Sequence, residues 1–253
     1  VIGGSTNGDI YVDGITQTTS TFSNGVELNV DAHLSGSKGA IVFEGSDSSF
    51  STLTANAVDG VEVNANLTTT TGALSLDGDS DNAVDTLSGN DYILFASGTT
   101  LTSAGNITLS AANGGMTTAG NLTLSAPSSI TMTGTMSGTG DISLSASNGI
   151  TLNNSISTSS GLLSINANSS ALTLGSGVTL SSTNALTLAA SSTTSSGDLT
   201  LTSSASTINV NNALVSAGAV TMTASTGLTL SNSTLTGSGN ISLQGGSSLS
   251  LAS

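Results

Sequence analysis

A short phrase recurs along this chain and constrains its fold more than any other feature. Residues 105–111 read Gly-Asn-Ile-Thr-Leu-Ser-Ala, residues 120–126 read Gly-Asn-Leu-Thr-Leu-Ser-Ala, and residues 140–146 read Gly-Asp-Ile-Ser-Leu-Ser-Ala. Degenerate copies begin at Gly161, Asn184, Gly197, Gly218 and Gly239. A repeat of this length predicts a solenoid, in which each unit buries its apolar face only by stacking on its neighbours.

The pattern within one repeat predicts strands. The stretches 140–160 and 218–238 have the same length and align without a gap. Each holds two apolar-polar-apolar triplets that begin after a glycine. A third apolar position, Ile156 or Leu235, follows them. Alternation with period two is typical of strands, and Gly, Asn and Ser punctuate them. Three short strands per unit of about 21 residues predict one turn of a three-sided coil. The fold class is therefore all-β, a parallel β-helix.

The alignment of the repeats also predicts which residues stack. Three apolar residues fall at one inward position: Ile142, Val220 and Ile241. Three asparagines fall at one corner position, where a hydrogen-bonded ladder is expected: Asn106, Asn121 and Asn240. Most copies follow one another at a similar interval, but the intervals that begin at Gly105 and at Asn184 are clearly shorter. These short intervals indicate either a dropped side of the coil or a misplaced corner in the alignment.

Charge and aromatic residues divide the chain into two parts. Of the 15 acidic residues, 13 lie at or before Asp91, and all six aromatic residues lie before residue 96. The strand phrase is nevertheless present in that region. We therefore expect residues 1–95 to form an acidic, aromatic-containing start of the same solenoid, and residues 96–253 to form regular Ser/Thr-rich coils. A separate small β domain over residues 1–95 is the alternative.

Composition excludes several functions. The net charge is −14 with one basic residue, Lys38, which excludes nonspecific nucleic-acid binding and disfavours anionic membrane surfaces. No apolar run is long enough for a membrane-spanning helix, so membrane insertion is not expected. The chain has no cysteine and begins at Val1 without a signal peptide. Because it also ends within the repeat pattern, we expect a processed chain or a fragment.

The repeats resemble a known family. The phrase at residues 105–111, together with Gly-Ile-Thr-Leu at residues 149–152, is similar to the repeats of filamentous-haemagglutinin-like exoproteins. The resemblance covers residues 96–253 well and residues 1–95 loosely. It implies a right-handed β-helix from a secreted bacterial surface adhesin. The family's secretion domain carries Asn-Pro motifs, whereas the single proline here, Pro127, follows Ala126. This chain is therefore not that secretion domain.

Residues suited to catalysis are scarce. The chain has no Cys, Arg or Trp, and its one histidine is His33. A Ser-His-Asp site would need His33, and a lyase base would need Lys38. A glycosidase needs two carboxylates, and four residues offer them across coils: Asp31, Glu44, Asp59 and Glu62. We expect no enzyme activity.

An acidic loop is the best candidate for a ligand site. Its aspartates occupy relative positions 1, 3, 5 and 9 of a calcium loop: Asp77, Asp79, Asp81 and Asp85. Ala83 is placed to offer a carbonyl. Asn82 replaces the usual glycine, and Ser88 stands where the bidentate glutamate belongs. The loop predicts either a calcium site formed by these four aspartates or a solvated acidic loop without a cofactor.

These features together predict an extracellular, non-catalytic rod of a bacterial surface or matrix protein. Its expected partners are copies of itself, neighbouring surface proteins, and host or surface glycans. A self-assembling filament or sheath subunit is the alternative. A minor alternative is an ice-binding solenoid, which stacks Thr-x-Thr pairs on a flat face. Only two of the eight outward pairs of the phrase are Thr-Thr, namely Thr200/Thr202 and Thr221/Thr223.

Overall fold

The molecule is built from strands alone. The computed structural model describes residues 1–6, 8–16, 25–31, 39–83, 91–211 and 214–252, with residues 214–217 as backbone only. None of these residues forms a helix, so no helix in the described part is long and apolar enough to cross a membrane.

In chain order the strands are β1 (Ile2–Gly4), β2 (Ile10–Asp13), β3 (Val26–Val30), β4 (Ile41–Glu44), β5 (Ser48–Phe50), β6 (Leu53–Ala57), β7 (Val61–Val63), β8 (Leu67–Thr69), β9 (Leu74–Asp77), β10 (Tyr92–Phe95), β11 (Thr99–Thr102), β12 (Ile107–Ser110), β13 (Gly115–Thr118), β14 (Leu122–Ala126), β15 (Ile130–Thr133), β16 (Met136–Gly138), β17 (Ile142–Ala146), β18 (Ile150–Leu152), β19 (Ile156–Thr158), β20 (Leu163–Asn166), β21 (Ala171–Leu174), β22 (Val178–Ser182), β23 (Leu186–Ala189), β24 (Ser192–Ser195), β25 (Leu199–Ser203), β26 (Ile208–Asn211), β27 (Leu214–Ala217), β28 (Val220–Ala224), β29 (Gly227–Ser231), β30 (Thr234–Gly237), β31 (Ile241–Gly245) and β32 (Ser248–Ala252).

These strands form three parallel sheets. Sheet A has 11 strands (β1, β3 and every third strand up to β30), sheet B has 11 (β2, β4 and every third strand up to β31), and sheet C has 10 (β5 to β32). The chain visits sheets A, B and C in turn. We call β1 and β2 coil 1, β3–β5 coil 2, and each following triplet the next coil. Strands before and after residue 96 share the same sheets. The predicted parallel β-helix, with three short strands per coil of about 21 residues, is confirmed.

The core is a set of aliphatic columns that run from coil to coil. In sheet C, for example, one column consists of residues that are fully buried: Leu101, Leu124, Leu144, Ile165 and Leu188. Each such side chain stabilises the fold by about 1.5–3 kcal/mol relative to an exposed one. The residues between them point outward and are mostly Ser and Thr. Every coil therefore depends on the coils on either side of it.

One predicted column is wrong. Ile142 pairs with Leu122 and Leu163 in sheet C, whereas Val220 pairs with Leu199 and Ile241 in sheet B. The reason is the short interval between Asn184 and Gly197, which leads from β23 to β25 and so spans two sides of the coil instead of three. The short interval that begins at Gly105 has the same effect and leads from β12 to β14. The phrase therefore moves from sheet A to sheet C and then to sheet B.

The predicted asparagine ladder is wrong for the same reason. Asn106 precedes a strand of sheet A, Asn121 precedes one of sheet C, and Asn240 precedes one of sheet B, so they occupy three different corners. The corners are held differently. Asn121 Oδ1 accepts the Asp141 backbone N–H at 2.9 Å, and Asp141 Oδ1 accepts the Leu162 N–H at 2.9 Å. Each side chain thus binds the backbone of the next coil.

Glycine opens the phrase because the corners of successive coils nearly touch. A Cβ on Gly161 would lie 2.1 Å from the carbonyl carbon of Gly140, and one on Gly140 would lie 2.5 Å from that of Gly120. No real Cβ contact is so short. Gly140 and Gly161 are therefore required by backbone stacking at the corner between sheets B and C.

Candidate cation site at an acidic corner

The acidic residues of the first coils gather at one edge of the solenoid. This edge, the A–B corner, is where the chain passes from a sheet A strand to a sheet B strand. The described acidic residues at or next to it are Asp9, Asp31, Asp59, Asp77, Asp79, Asp81 and Asp91. The connection in coil 4, residues 78–91, is much longer than its neighbours, residues 58–60 and 111–114. The predicted calcium loop belongs to this long connection.

Asp79 is the buried centre of the loop. Its side chain is 0 % exposed. Its Oδ2 accepts two hydrogen bonds from Asn113 of coil 5, from the backbone N–H at 2.9 Å and from Nδ2 at 3.0 Å. Its Oδ1 is buried and accepts no hydrogen bond from the part of the chain that the structure describes. The next coil thus orients the carboxylate through Oδ2, whereas Oδ1 has no hydrogen-bond donor among the described residues.

Asp77 lies beside it as the last residue of β9. Its Oδ1 accepts the Asp79 backbone N–H at 3.1 Å, and Ser110 stands directly opposite on β12. Burial raises the pKa of the Asp77 carboxyl, and the negative charge of Asp79 raises it further. Hydrogen bonds from Asp79 N–H and from the Ser110 side chain act in the opposite direction. Two carboxylates therefore lie close enough to repel each other.

The remaining predicted ligands are less well placed. Asp81 is exposed, and its Oδ1 accepts the Ala83 backbone N–H at 3.1 Å. Asn82 has a φ of 52°, so it adopts the left-handed conformation that the glycine of a calcium loop supplies. Asp85 and Ser88 lie outside the described residues. Within residues 39–83 and 91–211 and the other described ranges, no three His, Cys, Asp or Glu side chains are placed to share one metal ion.

A second acidic group lies on the outer surface of sheet B. The Tyr92 hydroxyl donates to Glu62 Oε1 at 3.0 Å, and Asp9 Oδ1 accepts the Ala40 N–H at 3.2 Å. Burial raises the pKa of Tyr92 to about 12, with further contributions from the charges of Glu62, Asp59 and Asp9. Of the four carboxylates considered for a glycosidase, Asp59 is buried, Glu62 binds Tyr92, and Asp31 and Glu44 are exposed. His33 and Lys38 lie outside the described residues.

The Ser/Thr pairs considered for ice binding are spread over all three sheets. Thr108/Ser110 lies on sheet A, the pairs from Thr123/Ser125 to Thr187/Ala189 lie on sheet C, and the pairs from Thr200/Thr202 onward lie on sheet B. They do not form one face. Sheet A instead carries an outward row of threonines in five successive coils: Thr108, Thr131, Thr151, Thr173 and Thr194.

Sequence reasoning found Asp77 and Asp79 but missed Asn113. Asn113 lies 34 residues beyond Asp79 and meets it only because the two residues occupy the same corner in adjacent coils. The irregular spacing of coils 4 and 5 concealed that register. No protein-family model, no curated protein and no solved structure matches this chain.

Proposed function

We propose that this chain is a non-catalytic, rod-like spacer of an extracellular surface or matrix protein. One observation carries the proposal: a single aliphatic core continues through the coils, from Leu28 in coil 2 to Leu228 in coil 10. A solenoid of this kind gains length by adding coils and needs no globular centre. Its outer surface in the second part of the chain is almost uncharged, which suits weak, repeated contacts better than tight binding of a small molecule.

The resemblance to filamentous-haemagglutinin-like repeats supports an adhesive version of this role. In that version the rod belongs to a secreted bacterial adhesin, and its partners are host or surface glycans or neighbouring surface proteins. The β-helical architecture and the Gly-Asn-Ile-Thr-Leu phrase favour this version. The acidic corner of the first coils would then be the most distinctive surface that the rod presents.

The positions of the carboxylates support the absence of catalysis. After residue 95 the chain has two, Asp141 and Asp198. Asp141 Oδ1 accepts the Leu162 N–H at 2.9 Å, and Asp198 Oδ1 accepts the Ala219 N–H at 2.8 Å. Both therefore act as corner ties between coils. A conventional acid–base pair would need a second titratable group close by, and the second part of the chain offers none.

Electron microscopy of the purified chain in negative stain tests the proposal. Eleven strands in sheet B make ten steps of about 4.8 Å, so we expect single rods about 50 Å long at every protein concentration. The same preparation, incubated with polysaccharides, should release no reducing ends. Compact round particles, or measurable cleavage of any polysaccharide, would contradict the proposal.

A filament subunit is the second candidate. Leu249 and Leu251 continue inward columns of sheet C, and they are 50 % and 67 % exposed. A further coil stacked on this surface would cover them, whether it comes from the same polypeptide or, as in a filament, from a second copy.

The direction of the backbone hydrogen bonds sharpens the test of this candidate. Inward residues donate toward the following coil, as Ile142 does to the Leu162 carbonyl and Val220 to the Asn240 carbonyl, both at 2.9 Å. Leu251 therefore contributes both its side chain and its N–H to the stacking surface. If filaments form, Leu251→Lys should stop their growth, whereas Ser250→Lys, with the same charge on an outward side chain, should slow it far less. Rods that stay single at high concentration exclude this candidate.

A further inference from the structure

The buried carboxylate of Asp79 needs a positive partner. Its Oδ2 accepts two N–H groups of Asn113, at 2.9 and 3.0 Å. Two donors on one oxygen favour the ionised form of a carboxylate. The side chain is fully buried, and a buried charge is tolerated only when it is paired. Oδ1, the second oxygen, accepts no hydrogen bond from the described residues.

The chain itself supplies little positive charge for this purpose. Lys38 is its one Lys or Arg residue, and it lies outside the described residues. The groups on this side are instead oxygen-bearing: the Asp77 carboxylate, whose Oδ1 accepts the Asp79 N–H, and the Ser110 hydroxyl, which hydrogen-bonds Asp77 from the adjacent strand. Hard oxygen ligands of this kind are those that calcium prefers, and backbone carbonyls and water commonly complete its coordination.

We propose that a calcium ion binds between Asp77 and Asp79, at the junction of coils 4 and 5. The site differs from the loop predicted from the sequence, because it uses two carboxylates and neutral oxygens and does not depend on Asp85. The site also includes a residue of the next coil, which the sequence did not predict: Asn113, 34 residues further along the chain, holds Asp79 in place. The ion would fasten the start of the long connection in coil 4, residues 78–83, to the solenoid.

This connection is also where the corner departs most from its neighbours. In coil 5 the corresponding connection is residues 111–114 and contains no acidic residue, and in coil 9 it contains Asp198 alone. Asp198 Oδ1 accepts the Ala219 N–H at 2.8 Å, so that oxygen has a partner within the chain. Asp198 is therefore a matched control for Asp79, since it lies at the same corner and its substitution by Asn removes the same charge.

Calorimetric titration of the full chain with CaCl₂ tests the site. We expect binding with a dissociation constant of about 0.1–1 mM, the range of extracellular calcium modules. Asp79→Asn should weaken binding at least tenfold, whereas Asp198→Asn should leave it unchanged. An absence of calcium-dependent heat in the parent chain, or equal affinity in Asp79→Asn, would overturn the proposal.

Thermal unfolding provides an independent measurement on the same proteins. With a chelator present, Asp79→Asn should unfold at a higher temperature than the parent, because it lacks an unpaired buried charge. With calcium well above its dissociation constant the order should reverse, because only the parent gains binding energy. If calcium at concentrations well above the expected dissociation constant leaves the unfolding temperature of the parent unchanged, no cation neutralises the site, and the proposal fails.

Discussion

Coils 1–4 and coils 5–11 share one core but differ at one corner. Both regions bury aliphatic columns in the same three sheets, as Leu53 in coil 3 and Leu144 in coil 6 illustrate. The first region carries the long connections, the aromatics and 13 of the 15 acidic residues. The second has short corners held by Gly, Asn and Asp. A solenoid can therefore vary the length and charge of its A–B corner while its core stays the same.

A charge placed in the core should have the largest effect on stability, and the effect should be equal in both regions. Leu53→Asp and Leu144→Asp each place a charge inside an apolar column, and each should lower the free energy of unfolding by more than about 4 kcal/mol. The adjacent outward changes, Thr54→Asp and Ser143→Asp, should each lower it by less than about 1 kcal/mol. Urea unfolding measures all four. A small effect at Leu53 alone would mean that the first region has a different core.

Corner packing should be the next most sensitive feature, and it distinguishes the second region. Gly161→Ala would bring a Cβ to 2.1 Å from the Gly140 carbonyl carbon, so we expect a loss of about 3 kcal/mol. Gly177 has a φ of 70° but open space around it, so Gly177→Ala should cost only about 1 kcal/mol. Equal losses in chemical unfolding would show that the corners of successive coils are not in close contact.

One of the buried hydroxyls of the second region lies in an inward column of coil 9. Thr193 lies in an inward column of sheet A, is 0 % exposed, and its Oγ1 has no hydrogen-bond partner in the described residues. Thr193→Val should therefore raise the free energy of unfolding by about 1 kcal/mol. Thr158→Val is the matched control: its hydroxyl donates to the Gly140 carbonyl and accepts the Gly161 N–H, so this change should destabilise by a similar amount. A destabilised Thr193→Val would mean that its hydroxyl is satisfied.

The smallest effect concerns the first region alone, since both tyrosines lie there. Burial, followed by Glu62, raises the pKa of Tyr92 to about 12. The folded state therefore holds the phenolic proton more tightly than the unfolded state, and this stabilisation is present below about pH 10 and is lost as the pH rises toward 12. An ultraviolet absorbance titration should show a transition near pH 12 that disappears in Tyr92→Phe. In Glu62→Gln it should move to lower pH, and an unmoved transition would contradict the assignment.

The sequence was sufficient for the fold and only partly sufficient for its register. The three-sided coil could be predicted from the alternation of apolar and polar residues, the glycines between the strands and the length of the repeat. The same alternation predicts that the side chains of Leu144 and Leu201 point inward. These features do not reveal which sheet receives each copy of the phrase, because the Gly-x-apolar-x-apolar pattern suits all three corners. The column of Ile142, Val220 and Ile241 was wrong for that reason.

The candidate site was predictable only where its residues are neighbours in sequence. Asp77 and Asp79 could be found from composition, since closely spaced aspartates are rare in this chain. The contact of Asp79 with Asn113 depends on coil register, and the burial of Asp79 depends on how coils 4 and 5 stack. Neither property has a local signal in the sequence.

The central claim is that the decorated and the regular coils form one stiff rod, and spin-label distances test it most directly. Because the chain has no cysteine, Thr54→Cys and Thr194→Cys place two unique labels in one outward column of sheet A, six coils apart. Six steps of about 4.8 Å predict a narrow distance distribution near about 29 Å. Labels at Thr108→Cys and Thr194→Cys, both in the regular coils, should give an equally narrow distribution near about 19 Å. A broad or double distribution for the first pair beside a narrow one for the second would show a hinge between the regions and contradict the account.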